Sequence, residues 1–493
     1  MQRIILIIII FFSTFLNANA GYEVNQNCKT AWMLLMDLKI EEAKQLLAKE
    51  ILLNPENYYA YYLEQTCDAY AFVINSNDEK YDAFVDNFEL RREIMDDNDM
   101  DSPYYLACLA EMQLQVGVFS ILKGSHLSGL RMSYSSYKNT YNNLDKFPDF
   151  KQSLKLDGFF NVSISNVPPF VKWAVSFFGV SANPEYGFNV LYNNYESQKN
   201  IKGINAESAL YIILTAKINK TPEVVYDFTK TLDTNISQTF IHTYFRSNVA
   251  YRTGKNEEAL ATLQQIDIDE YPYVDIIYSY LMGKILLRKL DDNAGYYFSR
   301  YLSHIEKEEY VKEMNYNLAL FSLINNNRLK YKEYCEIVRS EGKDINERDR
   351  EALYDASLDY FPDVNLVKAR LLLDGGYFTE FEEAIKLYQS TNNELLPYKL
   401  EYLFLMGKFY ASSDNNNHAI NQFTKVIELG EDEDYYFASE AALRLGVIYK
   451  RMGKIELAKQ NFDKSIKLYK SNYYEYIEDK ATKGLKSLTK HDK

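Results

Sequence analysis

The chain has 493 residues, 47% hydrophobic and 25% charged, with 19 glycines, 10 prolines and 4 cysteines. Such a composition excludes a disordered chain and supplies several packed units, while so few turn-formers serve an all-β fold poorly. The formal charge of −14 offers no counterion release on a nucleic acid, which removes DNA and RNA as expected partners and weakens docking on anionic lipid.

Residues 1–20 carry one cation, Arg3, then an apolar run from Ile4 to Phe12 that continues to Leu16, then Ala18-Asn19-Ala20. This is the pattern of a secretory signal peptide cleaved after Ala20, which places the mature chain in the periplasm or cell envelope. A retained anchor is the alternative, although the run falls short of the ~20 residues that span a bilayer. No later apolar run is read as long enough to span, so peripheral association is the envelope contact expected of the mature chain.

Residues 21–146 read as N-terminal helical hairpins. Ala43, Leu47 and Pro55 stand at the spacing of the small residue, the larger apolar residue and the closing proline of a second helix, whose partner runs through Trp32 and Leu35. Asp97, Asp99 and Asp101 alternate like the first ligands of a calcium loop, but Ser102 stands where glycine belongs and Cys108 where the bidentate glutamate belongs. Ser102-Pro103 reads better as a helix N-cap followed by a first-turn proline. The cysteines, Cys28, Cys67, Cys108 and Cys335, read as buried free thiols, with a Cys28–Cys67 bridge as the alternative.

The segment 147–200 departs from the hairpin pattern. It holds Gly158, Pro168-Pro169, Trp173, Phe177-Phe178-Gly179 and Gly187, and its aromatic helix is expected to fill a neighbouring groove, with interfacial insertion as the other fate. Degenerate hairpins resume over 201–392. There Gly254 and Ala259 are separated by the same five-residue step as Gly453 and Ala458, while Gly375-Gly376 suggests a longer turn that moves the small-residue position to Phe381 or Ala384. Leu281-Met282-Gly283-Lys284 recurs as Leu405-Met406-Gly407-Lys408, 124 residues on, which fits three repeats of about 40. Two clear repeats fill 393–472: Gly407 pairs with Gly446, Tyr410 with Tyr449, Ala419 with Ala458 and Phe423 with Phe462, each 39 residues apart. A capping helix with a lysine face closes the chain over 473–493.

Small-x2-Tyr followed by Ala-x3-Phe resembles the tetratricopeptide repeat (TPR). The resemblance implies an all-α fold, an α-solenoid of about a dozen antiparallel hairpins wound into a superhelix, and binding of protein partners without catalysis. With the run Lys368 to Phe378, the chain also resembles exported TPR proteins of the Bacteroidota type. Gly158, Ser165, Pro168, Gly179, Gly187 and Leu191 are similar to the middle segment of a eukaryotic TPR family associated with the mitochondrial outer membrane, lipid droplets and inclusion-body clearance. That family is not secreted, so its cellular role is not carried over.

For chemistry the sequence offers little. His126, His242, His304, His418 and His491 have no ligand-spaced neighbours, and neither HExxH, nor a phosphate-binding GxxxxGK loop, nor Gly-x-Ser-x-Gly occurs. No metal, cofactor or catalytic residue is expected. The expected function is that of an exported scaffold for an unnamed protein partner. The alternatives are a carbohydrate- or peptide-binding surface built from the 44 tyrosines and an enzyme with its site in 147–200.

Overall fold

The computed structural model describes residues 21–74, 78–96, 100–164, 182–219, 222–271, 274–304, 310–344, 346–469 and 474–488. Among the described residues there are 25 helices and no strand, so the chain is an all-α helical repeat protein. The expected cleavage site at Ala18 and Ala20, the aspartates Asp97 and Asp99, and Ser165, Pro168, Trp173, Phe177 and Gly179 lie outside them. The chain divides into two compact units, one of residues 1–249 with 265–267, the other of 250–264 with 268–493.

In the first unit, α1 (Gln26–Met36) pairs with α2 (Ile40–Leu53), α3 (Tyr58–Ile74) with α4 (Asp78–Asp96), and α5 (Pro103–Leu122) with α6 (His126–Lys146). Ser102 caps α5 through a hydrogen bond from the Tyr104 amide, with Pro103 in the first turn. Ala43 and Leu47 are fully buried, and Pro55 sits in the turn after α2. All four cysteines are free and buried.

By length and apolarity α5 is the only described helix able to cross a membrane, a feature the sequence reading passed over. Two-thirds of its apolar stretch is buried in the unit, and it carries the buried, ion-paired Glu111, which makes it a core helix. The described parts of the divergent segment are α7 (Lys151–Ser163) and α8 (Pro184–Gln198), packed together. A Cβ added to Gly187 would lie 2.6 Å from the Gly158 carbonyl oxygen, and one on Gly158 2.7 Å from Leu191. These three resemblance residues therefore set a close helix crossing.

After α9 (Ile204–Asn219), α10 (Pro222–Lys230) and α11 (Thr234–Ser237) comes α12 (Phe240–Arg252), within which the division falls. His242 is buried on α12, with Nδ1 2.8 Å from Thr239 Oγ1 and Nε2 3.0 Å from the Ala206 carbonyl. Burial holds its imidazole down at about 4, from an ordinary 6.5. A base depressed in the folded state contributes stability above its unfolded pKa and loses it as pH falls toward the folded one. Stability is therefore expected to fall by up to about 3 kcal/mol between pH 6.5 and 4 through this residue alone. Urea midpoints across that window, compared with His242→Asn, measure the share.

The second unit starts with α13 (Asn256–Leu263) and continues as hairpins: α14 (Asp275–Arg288) with α15 (Ala294–His304), α16 (Val311–Ile324) with α17 (Arg328–Ser340), α19 (Val364–Gly375) with α20 (Phe378–Ser390), α21 (Leu396–Ser412) with α22 (Asn416–Gly430), and α23 (Phe437–Arg451) with α24 (Ile455–Leu468). Helix α18 (Glu347–Ala356) is inserted after α17, and α25 (Glu475–Leu488) packs on α24 and α23.

One turn serves eight hairpins in the two units. The first helix ends at a residue of positive φ, in turn Leu38, Gly124, Gly254, Leu290, Asn326, Gly376, Asp414 and Gly453. The next amide then bonds back to the carbonyl five residues earlier at 2.8–2.9 Å, from Lys39, Ser125, Lys255, Asp291, Asn327, Tyr377, Asn415 and Lys454. That is the Schellman closure, which satisfies carbonyls the helix end leaves free. Five residues beyond each positive-φ position is a buried residue of the second helix: Ala43, Gly129, Ala259, Gly295, Tyr331, Phe381, Ala419 and Ala458. The turn at Gly376 has this common length, with Phe381 at the five-residue step, so the longer turn expected there is not formed.

Gly453 has φ +70° and open space around an added Cβ, so Gly453→Ala isolates the backbone term. A loss of about 1 kcal/mol is expected, against a gain of about 0.5 kcal/mol for the exposed Asp414→Gly, where relief of the left-handed penalty exceeds the added chain entropy. Thermal unfolding of both variants checks the opposite signs.

Candidate interaction groove

Helices α14, α16, α19, α21, α23 and α25 are the first helices of the second unit, and neighbours in this series contact one another. Three of them, α14, α21 and α23, meet their partners through a glycine under an aromatic ring. An added Cβ would lie 2.7 Å from Phe298 at Gly283, 2.6 Å from Phe423 at Gly407 and 2.5 Å from Phe462 at Gly446. Phe423, Phe462, Ala419 and Ala458 are buried, and half-buried Tyr410 and Tyr449 pack on the same cores. Gly254 and Ala259 take the turn and buried positions of their hairpin. The signature residues are thus structural, and the polar groups they position lie beside them.

Lys284 and Lys408 each follow the glycine of the repeated four-residue sequence, and each reaches an acidic residue on an adjacent first helix. Lys284 Nζ is 2.5 Å from Glu313 Oε1, and Lys408 Nζ is 2.6 Å from Asp374 Oδ1. Between and beyond them, Arg370 lies 3.8 Å from Glu401, and Arg444 is 2.7 Å from Glu440, which also accepts a 2.9 Å bond from the Tyr476 hydroxyl. Glu401 and Glu440 are 39 residues apart, the repeat length. Successive first helices therefore share one strip of alternating charge.

The strip is neither dry nor freely solvated. Arg444 keeps 41% and Asp374 36% of its side-chain exposure, while Glu401 and Glu440 keep 6% and 5%. Burial would push the Asp374 carboxyl up, but Lys408 and Arg288 outweigh it and hold it at about 2. For Glu440 burial is likewise outweighed by Arg444 and Lys408. At Glu401 and Asp355 burial wins against Arg370, and both carboxyls are raised. Glu351 is pushed up to about 7 by burial against the pull of Arg348, 2.8 Å away.

Helix α18 lies against this system. The Tyr354 ring sits 5.3 Å from Tyr474 and 6.4 Å from Tyr436, the Tyr474 hydroxyl donates to Asp355 at 2.7 Å, and Arg350 pairs with Glu475 at 2.9 Å. Asp355, Arg370, Glu401 and Tyr436 line a void of about 20 Å³, room for about one water. The chain's own α18 thus bridges α16 and α17 to the N-terminal ends of α23 and α25.

Sequence reasoning missed Arg370, Glu401, Glu440 and Arg444. The 39-residue interval between the glutamates and the 124-residue interval between the lysines were the available signals. Tyrosine, by contrast, is spent on packing: among the described residues only Tyr186, Tyr192 and Tyr296 are exposed. No group of His, Cys, Asp and Glu among the described residues could hold a metal ion.

A tetratricopeptide repeat family model matches residues 439–472, which cover most of α23 and α24. No curated protein matches the sequence. Among solved structures the chain is similar to one titled "Structure of Naa15/Naa10 bound to HypK-THB", at 12% identity over 93% of this chain and 72% of that chain, with a TM-score of 0.23. A superposition that loose carries no argument about shape or site. The hairpin geometry makes this an all-α helical-repeat protein, and residues 439–472 match a tetratricopeptide repeat.

Proposed function

We propose that the protein is a non-enzymatic scaffold, exported to the cell envelope, that holds a protein partner along the charged strip of the second unit. The observation that carries the reading is the row of ion pairs Lys284–Glu313, Asp374–Lys408 and Arg370–Glu401 between neighbouring first helices, continued by Glu440–Arg444 within α23. Rows of partly desolvated opposite charges select a partner of complementary pattern and fix its register more than they add raw affinity. Rigid helices keep the row in place, so little ordering is lost on binding. The 1–20 pattern of charge, apolar core and Ala-x-Ala supports export, which N-terminal sequencing of the native protein tests by a start at Gly21.

Cross-linking and affinity purification of the full chain from its own cells is the test of binding. One protein complex with cross-links to α19, α21 and α23 is expected. The double variant Arg370→Glu/Arg444→Glu should lose it, while Lys459→Glu, exposed on α24, should keep it. Recovery of no specific protein at native expression, or of lipid or glycan alone, overturns the reading.

A further inference from the structure

The first unit holds a cavity of about 310 Å³, within the size range of small-ligand sites. On its wall are Lys155 of α7 and Glu207 of α9, and neither is more than 2% exposed. Lys155 Nζ ion-pairs with Glu207 and, at 2.6 Å, with Glu111 of α5, which is also buried; the Tyr62 hydroxyl donates to Glu111. Its charge also sits 4.7 Å from the centre of the Tyr211 ring. Two carboxylates thus share one ammonium, and the set carries one more negative than positive charge, away from bulk water. An uncompensated buried charge calls for a proton or a counter-cation.

Two further groups at the same cavity are unspent. The Ser208 hydroxyl, on a residue 2% exposed and adjacent in sequence to Glu207, has no hydrogen-bond partner, and neither has the Gln152 side-chain nitrogen. A buried hydroxyl without a partner costs free energy that a ligand atom can recover. The rest of the wall is mixed: Tyr59, Tyr104, Phe150 and Ile204 give it an apolar and aromatic side, Asn194 and Gln198 are polar, and half-buried Lys29 with exposed Asp149 and Lys151 brings charges of both signs to its more solvated part. Cavity, charge imbalance and orphan hydroxyl coincide at one place.

We infer that this cavity binds a small organic ammonium on a short apolar stem. The ammonium is held by the Glu207 carboxylate and the Ser208 hydroxyl, and the stem lies on the aromatic wall. A carboxylate in the same place would meet Glu207 with like charge, and a neutral alcohol would leave the charge uncompensated. The site lies in the first unit and is independent of the strip in the second.

Three probes of equal length, hexylamine, hexanoate and hexanol, titrated into the full chain by calorimetry and thermal shift, form the test. Saturable binding of hexylamine at least tenfold tighter than of the other two is expected. Glu207→Gln, which keeps shape and removes the charge, should weaken hexylamine at least tenfold and bring it level with hexanol. Ser208→Ala should weaken it by a smaller factor while leaving the unfolding transition in place. Equal binding of all three, tighter binding of hexanoate, or no binding to the folded chain overturns the inference.

Discussion

Lys155→Met is expected to destabilise the first unit by about 3–5 kcal/mol, enough to consume much of the stability of an ordinary domain. The ammonium lies between Glu111 and Glu207, and all three side chains are 2–3% exposed. Its removal leaves two buried carboxylates facing each other without the cation between them. Glu207 is already pushed up to about 7, by burial first and by Glu111 besides, while Lys155 holds it down. Without that restraint one carboxyl must take a proton. A carboxyl raised in the folded state is favourable below its unfolded pKa and progressively costly as pH rises through the folded one. The loss should therefore be large at pH 8 and shrink toward pH 5, which urea unfolding at the two pH values measures. Glu207→Gln keeps a paired Lys155–Glu111 and should stay within about 1 kcal/mol of the parent, because replacing part of a buried ionic group by a neutral isostere avoids the stranded charge. Equal losses for the two variants would mean that packing, not charge, is what Lys155 supplies.

The architecture was legible where short-range spacing carries it. Gly453 to Ala458 and Gly254 to Ala259 showed the turn because a positive-φ residue and the buried residue after it lie only five positions apart in sequence. The same turn was hidden at Leu38 and Leu290, since leucine rarely enters the left-handed region and does not announce it, and at Asn326 and Asp414, where asparagine and aspartate enter it more readily but serve as ordinary loop residues as well. Gly376 was misread for a related reason: two adjacent glycines suggested extra length, while Gly375 is simply the last helical residue. The charged strip left only a trace. Lys284 and Lys408 were noticed as letters of a repeat, yet their partners Glu313 and Asp374 come from neighbouring helices at unlike separations, 29 and 34 residues. Lys155 and Glu207 are 52 residues apart on helices with no shared signature, and no spacing rule points from one to the other. Their meeting is a consequence of the packing of α5, α7 and α9.

Phe462→Ala in the second unit is expected to cost about 3–5 kcal/mol, and its interplay with Gly446 is the sharper result. The ring is 1% exposed and wedged between two helices that each present a glycine. An added Cβ would stand 2.5 Å from the ring at Gly446 of α23 and 2.6 Å from it at Gly484 of α25. Neither is an ordinary van der Waals distance, and a ring displaced from one glycine moves into the other helix. Gly446→Ala alone should therefore destabilise by about 1–3 kcal/mol through overpacking, despite alanine's better helix propensity. With the ring gone the collision is gone too. In the Phe462→Ala background the same substitution is expected to stabilise by about 0.5–1 kcal/mol, which is the glycine-to-alanine difference inside a helix. A double-mutant cycle by urea unfolding reads this change of sign as a coupling of more than 1 kcal/mol. Additive losses would mean that the helices separate to admit the methyl group, and that the glycine does not set the contact on which the hairpin repeat depends.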